Sequence, residues 1–184
     1  METDGKKKYD STKKMMISIM LISILLLFMT WIIWHVTGKV SGDWQHKEKN
    51  IILRSEKNKW KISIQNYEGM EGYTLFYNGE WNPAFMNIYD GYKVMAGVEI
   101  DRNKFDSKMI DNLFVGNNLF NVVTNNKEKL VVMYTNKGMD TLFGKQNIDT
   151  YFHFKLEGIP FLGKEIMYLN SPLFGEERLP FVKR

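Results

Sequence analysis

From Met15 to Trp34 the chain reads MMISIMLISILLLFMTWIIW, with no charged residue. A helix rising about 1.5 Å per residue needs roughly 20 such residues to cross the hydrocarbon core of a bilayer. The run therefore predicts a membrane-spanning helix over 15–36. A helix that is apolar all round needs lipid or protein on every side, and the polar remainder of the chain has no helical partner for it. Ser18, Ser23 and Thr30 fit inside such a helix by bonding back to its own backbone. With no ionisable group at mid-depth, a channel or proton relay is disfavoured.

From Ile51 onward the period changes to two, as in strands with one buried face. Trp60, Ile62 and Ile64 alternate with Lys61, Ser63 and Gln65. Thr74–Tyr77 follows, and Asn78-Gly79 reads as a tight turn supplying positive φ. Phe85–Tyr89 and Tyr92–Ile100 flank Asp90-Gly91, the strongest hairpin signal, which puts Tyr92, Val94, Ala96, Val98 and Ile100 on one face. Leu119–Thr124 and Leu130–Thr135 resume strand character around residues 125–128, and Asn136-Lys137-Gly138 reads as a turn into Met139–Phe143. Tyr151–Glu157 alternates again, with Phe152, Phe154 and Leu156 inward. Asp106–Leu113 has Met109, Ile110 and Leu113 at helical spacing, with loop and strand left open.

About eight short strands at intervals of roughly ten residues, joined by short connections, predict an all-β fold: an antiparallel β-sandwich or small barrel. The organisation that follows is a tail at 1–14, a transmembrane helix at 15–36, a linker at 37–50, a β-domain at 51–157 and an extended C-terminal segment of the same domain at 158–184. That last segment carries Pro160, Pro172 and Pro180 and is expected to add one edge strand at Glu165–Leu169.

Orientation comes from the lysines. Lys6, Lys7, Lys8, Lys13 and Lys14 precede the apolar run, and only Lys39, Lys47 and Lys49 follow closely, so the N-terminus is expected inside and the β-domain outside the cytoplasm. Trp31 and Trp34 suit the far boundary. A cleaved signal peptide is the competing reading, but its apolar core is shorter and followed by small residues, whereas this one ends in Trp-Ile-Ile-Trp. A lipid-anchored form is excluded by the absence of cysteine.

The missing cysteines also remove disulfides, thiol catalysis and Cys-based zinc sites. The formal net charge of +4 is spread among interleaved acidic and basic residues, which gives nucleic-acid binding little support. An aromatic content of 14% argues against disorder.

Catalytic and metal motifs are lacking, so no cofactor, metal or catalytic residue is assigned. His35, His46 and His153 have no second ligand at metal spacing. Ser171 stands outside any nucleophile elbow. Asp101, Asp106 and Asp111 recur every five residues without the alternation or glycine of a calcium loop. The aromatic group Tyr67, Tyr73, Phe76, Tyr77 and Trp81 offers either core or a stacking surface for sugar or peptide, and Tyr67, Tyr73, Phe76 and Trp81 form the candidate partner surface.

The pattern Trp60, Gly72-x-x-Leu75-x-Tyr77-x-Gly79 and Tyr134-x-Asn136-Lys137-Gly138 resembles small membrane-anchored or lipoprotein-type envelope proteins of low-GC Gram-positive bacteria. The resemblance spans Trp60 to Leu156 and implies an exported β-sandwich of unassigned function. This chain departs from that pattern by using a helix in place of a lipidated cysteine.

The expected function is that of a single-pass, membrane-anchored, non-enzymatic domain that binds an envelope protein or wall polymer through sheet edges or its C-terminal segment. The alternative is a small-ligand or lipid-binding barrel with a roomy cavity lined by Val94, Ala96, Val98, Phe152 and Phe154.

Overall fold

A computed structural model describes residues 15–31, 40–83, 87–144, 146–158, 165–175 and 178–184. Two units are distinct, Met1–Lys39 and Val40–Arg184.

In the first unit residues 15–31 form helix α1, and every side chain in it is exposed. Thr30 Oγ1 bonds back to the carbonyl oxygens of Leu26 and Leu27, at 3.0 and 2.9 Å, the arrangement expected of a hydroxyl inside an apolar helix. Among the described residues no helix is long and apolar enough to cross a membrane. The tail at 1–14, residues 32–36 of the predicted span and His35 lie outside the described residues.

The second unit is a sheet of ten antiparallel strands. They are β1 (Gly42–His46), β2 (Ile51–Glu56), β3 (Lys59–Ile64), β4 (Tyr73–Pro83), β5 (Ile88–Asp101), β6 (Phe120–Asn125), β7 (Lys129–Tyr134), β8 (His153–Glu157), β9 (Ile166–Asn170) and β10 (Leu179–Lys183). Helix α2 (Ser107–Phe114) joins β5 to β6, and α3 (Asn136–Phe143) follows β7. Each of β1 to β4 pairs with the next, β5 pairs with β8, and β9 and β10 lead back to β1, so eight strands close a barrel. Strands β6 and β7 are an insertion carried on the far half of β5.

The antiparallel β expectation holds, and of its two alternatives, sandwich or small barrel, the barrel is the one that forms. The reason is β5, whose 14 residues pair along their length with β4 on one edge and with β8 and then β7 on the other. A strand used on both edges leaves no open end at which two sheets could separate.

The barrel interior is aromatic. Trp44, Trp60, Phe152, Phe154 and Phe181 are fully buried, together with Leu53, Ile62, Met167 and Leu169. Trp60 lies 5.0 Å from the Phe152 ring and 5.2 Å from that of Phe154. A ring that removes about 150–250 Å² from water contributes roughly 4–6 kcal/mol at about 25 cal/mol per Å².

Several turn expectations are corrected by that interior. Asn78-Gly79 lies inside β4 and Asp90-Gly91 inside β5, and neither is a turn. A β-carbon on Gly79 would stand 2.8 Å from Trp60 Cζ2, and one on Gly91 would stand 2.9 Å from Phe152 Cβ. Both glycines make room for rings. Part of the predicted strand from Phe85, residues 85–86, lies outside the described residues. Tyr92 does not share the face of Val94, because β5 carries an extra residue there, with Lys93 at φ 51°; Tyr92 is 47% exposed.

Three further expectations change. Residues 42–46 of the predicted linker form β1, and Val40 and Trp44 join the core, with Trp44 Nε1 donating to the Val40 carbonyl at 3.1 Å. The predicted turn at 136–138 is the start of α3, whose N-cap Thr135 accepts from the Gly138 N–H at 3.1 Å. The expected edge strand at Glu165–Leu169 is β9, an interior strand between β8 and β10. Residues 107–114 resolve as helix, capped by Asp106.

Candidate functional site

The two strands on one edge of β5 occupy different stretches of it. β8 meets Ile88–Asp90 and β7 meets Gly97–Asp101. The backbone between them is met by the single helical turn at Ile148–Tyr151, where the Asp149 carboxylate accepts from Val94 N–H at 2.7 Å. Beside this divergence lies a group of tyrosines.

Tyr73 opens β4 opposite Ile100, and Tyr77 stands opposite both Ile62 and Ala96. By alternation both point to the inner face, with Leu75. Tyr134 ends β7 on the face of buried Leu130 and Val132. Tyr67 comes from the turn between β3 and β4, which Asn66 enters at φ 52° and Gly72 leaves at φ +81°. The Tyr67 and Tyr73 rings are 6.3 Å apart. The walls are rings as well: Phe143 of α3 and Phe174 stand 6.4 and 6.3 Å from Tyr77, and Phe120 stands 4.8 Å from Tyr134.

Tyr77 is buried, at 5% exposure, whereas Tyr67, Tyr73 and Tyr134 are only half-buried although Tyr73 and Tyr134 face inward. Part of each of these three rings is therefore accessible at this end of the β-domain. Burial pushes the Tyr73 phenol up to about 12, with the neighbouring Tyr134, Tyr67 and Glu68 adding to the rise. Tyr77 and Tyr134 are also raised, first by burial and then by Tyr67, and in Tyr77 by Tyr134 too. Tyr67 is thus the common neighbour of the other three. The raised Tyr73, Tyr77 and Tyr134 phenols stay protonated at neutral pH, and a phenol can both donate and accept a hydrogen bond. Among the described residues none of their hydroxyls has a hydrogen-bond partner.

The candidate surface of Tyr67, Tyr73, Phe76 and Trp81 is thereby divided. Tyr67 and Tyr73 come together. Phe76 lies on the outer face of β4, buried against Gly97 and under the Lys61 ammonium at 4.1 Å. Trp81 points inward, edge-to-face with Phe154 at 4.7 Å, and its Nε1 donates to Ser55 Oγ at 2.9 Å. Tyr134 was not among the candidates. Its signal was the alternation Leu130, Val132, Tyr134, which continues an inward face past the point where the core closes over it.

The remaining polar candidates hold local structure. His46 is buried, and its Nδ1 accepts from the Glu48 and Lys49 N–H groups at 3.1 and 3.0 Å. Burial lowers its pKa, with Lys49 acting in the same direction. His153 faces outward, as its alternation requires, and pairs across the strands with Asp90 at 2.7 Å. Ser171 is buried and caps the turn at Pro172–Phe174. Asp101 and Asp106 accept from the N–H groups of Asn103 and Met109, and Asp111 pairs with Arg102, so the five-residue recurrence is two caps and an ion pair.

A polar groove of about 410 Å³ lies on the outer face beside Thr74, Glu99, Asp101, Glu128 and Lys129. Its Glu99 is already neutralised between Lys61 and Lys129, at 3.9 and 3.6 Å. Among the described residues no three of His, Asp or Glu are grouped to hold a metal ion. The interior set Val94, Ala96, Val98, Phe152 and Phe154 does share one space, but Ala96, Val98 and Phe152 have no accessible surface, so no water-sized void touches them. Comparison with family models, curated proteins and solved structures gives no match for this chain.

Proposed function

We propose that this is a single-pass membrane protein with its N-terminus in the cytoplasm, presenting a non-enzymatic β-barrel outside the cytoplasm that binds a component of a bacterial envelope, a protein or a wall polymer. The observation that carries the anchoring is α1: seventeen residues, 15–31, with no charge and every side chain exposed. Large apolar side chains exposed at this density call for lipid around them. The basic cluster before α1 supports the orientation.

The binding role is supported by the tyrosine-lined end, where partly accessible rings and hydroxyls without a partner gather, with no nucleophile and base in hydrogen-bond reach among the described residues. The alternative of a lipid or small ligand held inside the barrel is disfavoured by the filled interior around Trp60 and Phe152.

Fractionation and protease shaving test the topology. The full chain should stay with membranes through alkaline carbonate washing, and external protease should reach the barrel in wall-stripped cells. Recovery of the intact chain in the soluble fraction would overturn the anchoring. Crosslinking on intact membranes should then capture one defined envelope component.

A further inference from the structure

We propose that the tyrosine-lined end of the barrel binds uncharged pyranose rings of a carbohydrate polymer. This deepens the reading of the domain as an envelope-binding module and rests on it.

The first argument is openness. Tyr73 and Tyr134 belong by strand alternation to the inner face, next to buried residues, yet both keep part of their surface accessible. The described residues do not close over them as they close over Trp60 and Phe152.

The second is available hydrogen bonding. The hydroxyls of Tyr67, Tyr73, Tyr77 and Tyr134 have no partner among the described residues, and none of them is closed off from water, so they can turn to a ligand. A phenol can both donate and accept, and the ligand group that answers it in kind is another hydroxyl.

The third is charge. The groups that act electrostatically on the Tyr73, Tyr77 and Tyr134 phenols are other tyrosines and Glu68, with no lysine or arginine among them. Phosphates and carboxylates are held by cationic or charge-assisted donors, which are missing from that set, so an anionic ligand is poorly served. Phe143 and Phe174, 6.4 and 6.3 Å from Tyr77, add flat apolar faces on which the C–H face of a sugar ring can lie. Flat apolar faces edged with hydroxyls, and no charge, describe a pyranose.

The test uses the full chain in phospholipid nanodiscs, which avoids sugar-based detergents. Chitotetraose and cellotetraose are titrated by calorimetry, alongside a neutral extended Gly-Ser-Asn peptide. At least one oligosaccharide should bind saturably. Removing one ligand hydrogen bond weakens binding about fivefold, so Tyr73→Phe and Tyr134→Phe should each do so and the double variant about twentyfold. Thermal midpoints should stay at the wild-type value, because neither hydroxyl bonds within the described residues; this separates a lost ligand contact from a lost fold. Saturable binding that the Phe variants leave unchanged, binding of the peptide in preference to both sugars, or no saturable sugar binding would each overturn the proposal. The assay does not depend on cellular topology. Failure of protease shaving with sugar binding intact would remove the extracytoplasmic reading alone, and the converse result would remove only the carbohydrate.

Discussion

Gly79 of β4 lies directly across the sheet from Trp60 of β3, and a β-carbon at Gly79 would stand 2.8 Å from Cζ2 and 3.0 Å from Cε2 of the indole. The indole is held there by its Nε1, which donates to the Glu80 carbonyl at 3.0 Å, and by the Phe152 and Phe154 rings. It has nowhere to retreat.

Gly79→Ala should therefore destabilise the barrel by about 1–3 kcal/mol, the usual cost of overpacking a filled core. Gly116→Ala is the contrast. Nothing lies within 4 Å of a β-carbon there, and only the backbone at φ +79° resists, a cost of about 1 kcal/mol. Urea midpoints of the two variants should separate in that order; equal shifts would mean that Gly79 is a matter of backbone conformation.

Arg102 joins the insertion to the barrel. Its side chain is 7% exposed, and its Nη2 donates to Asp111 Oδ1 of α2 at 2.5 Å and to Asn125 Oδ1 of β6 at 2.6 Å. Arg102→Ala should cost about 1–3 kcal/mol, since a buried guanidinium loses its packing and its charge-assisted bonds to two more exposed acceptors. Arg54→Ala breaks a 3.1 Å pair with Asp43 whose members are 62% and 43% exposed, and should cost less than about 1 kcal/mol. Denaturant unfolding of both variants checks the difference.

Alkaline pH should loosen the tyrosine-lined end. The Tyr73 phenol titrates near 10 in an unfolded chain and at about 12 in the fold, so the fold favours its neutral form. The associated stabilisation is fully present below pH 10 and lost as pH rises through about 12. Tyr77, Tyr89 and Tyr134 shift in the same direction by burial and add to the effect. Tyrosinate absorbance followed against pH should show a class of phenols ionising well above free tyrosine, together with unfolding by circular dichroism.

Ser55 is buried in β2, and its Oγ accepts from Trp81 Nε1 at 2.9 Å. Ser55→Ala leaves the indole N–H without its acceptor in partly buried surroundings, at a cost of about 1–2 kcal/mol. Ser55→Thr keeps the acceptor and should recover part of it. Stability measured beside indole fluorescence checks this, and an unaltered Ser55→Ala variant would count against the bond.

The amino-acid sequence by itself determined which residues alternate and which face is apolar. Trp60, Ile62, Phe152, Phe154 and Leu156 were legible as one inward set because strand alternation is a local property, repeated every two residues whatever lies opposite. The outward place of His153 was legible for the same reason, and the uncharged run at Met15–Trp34 and the nearness of Tyr67, Tyr73 and Tyr77 along the chain are equally local. What lies opposite belongs to the tertiary structure. Glycine supplies positive φ in a turn and empty space beside a ring with the same absence of a β-carbon, so only the arrival of Trp60 and Phe152 from distant segments decides that Gly79 and Gly91 are the second kind. Closure into a barrel, the conversion of Trp44 and residues 165–183 from linker and tail into load-sharing strands, and the meeting of Tyr67, Tyr73, Tyr77 and Tyr134 all depend on pairing between segments far apart in the chain, which local spacing does not encode.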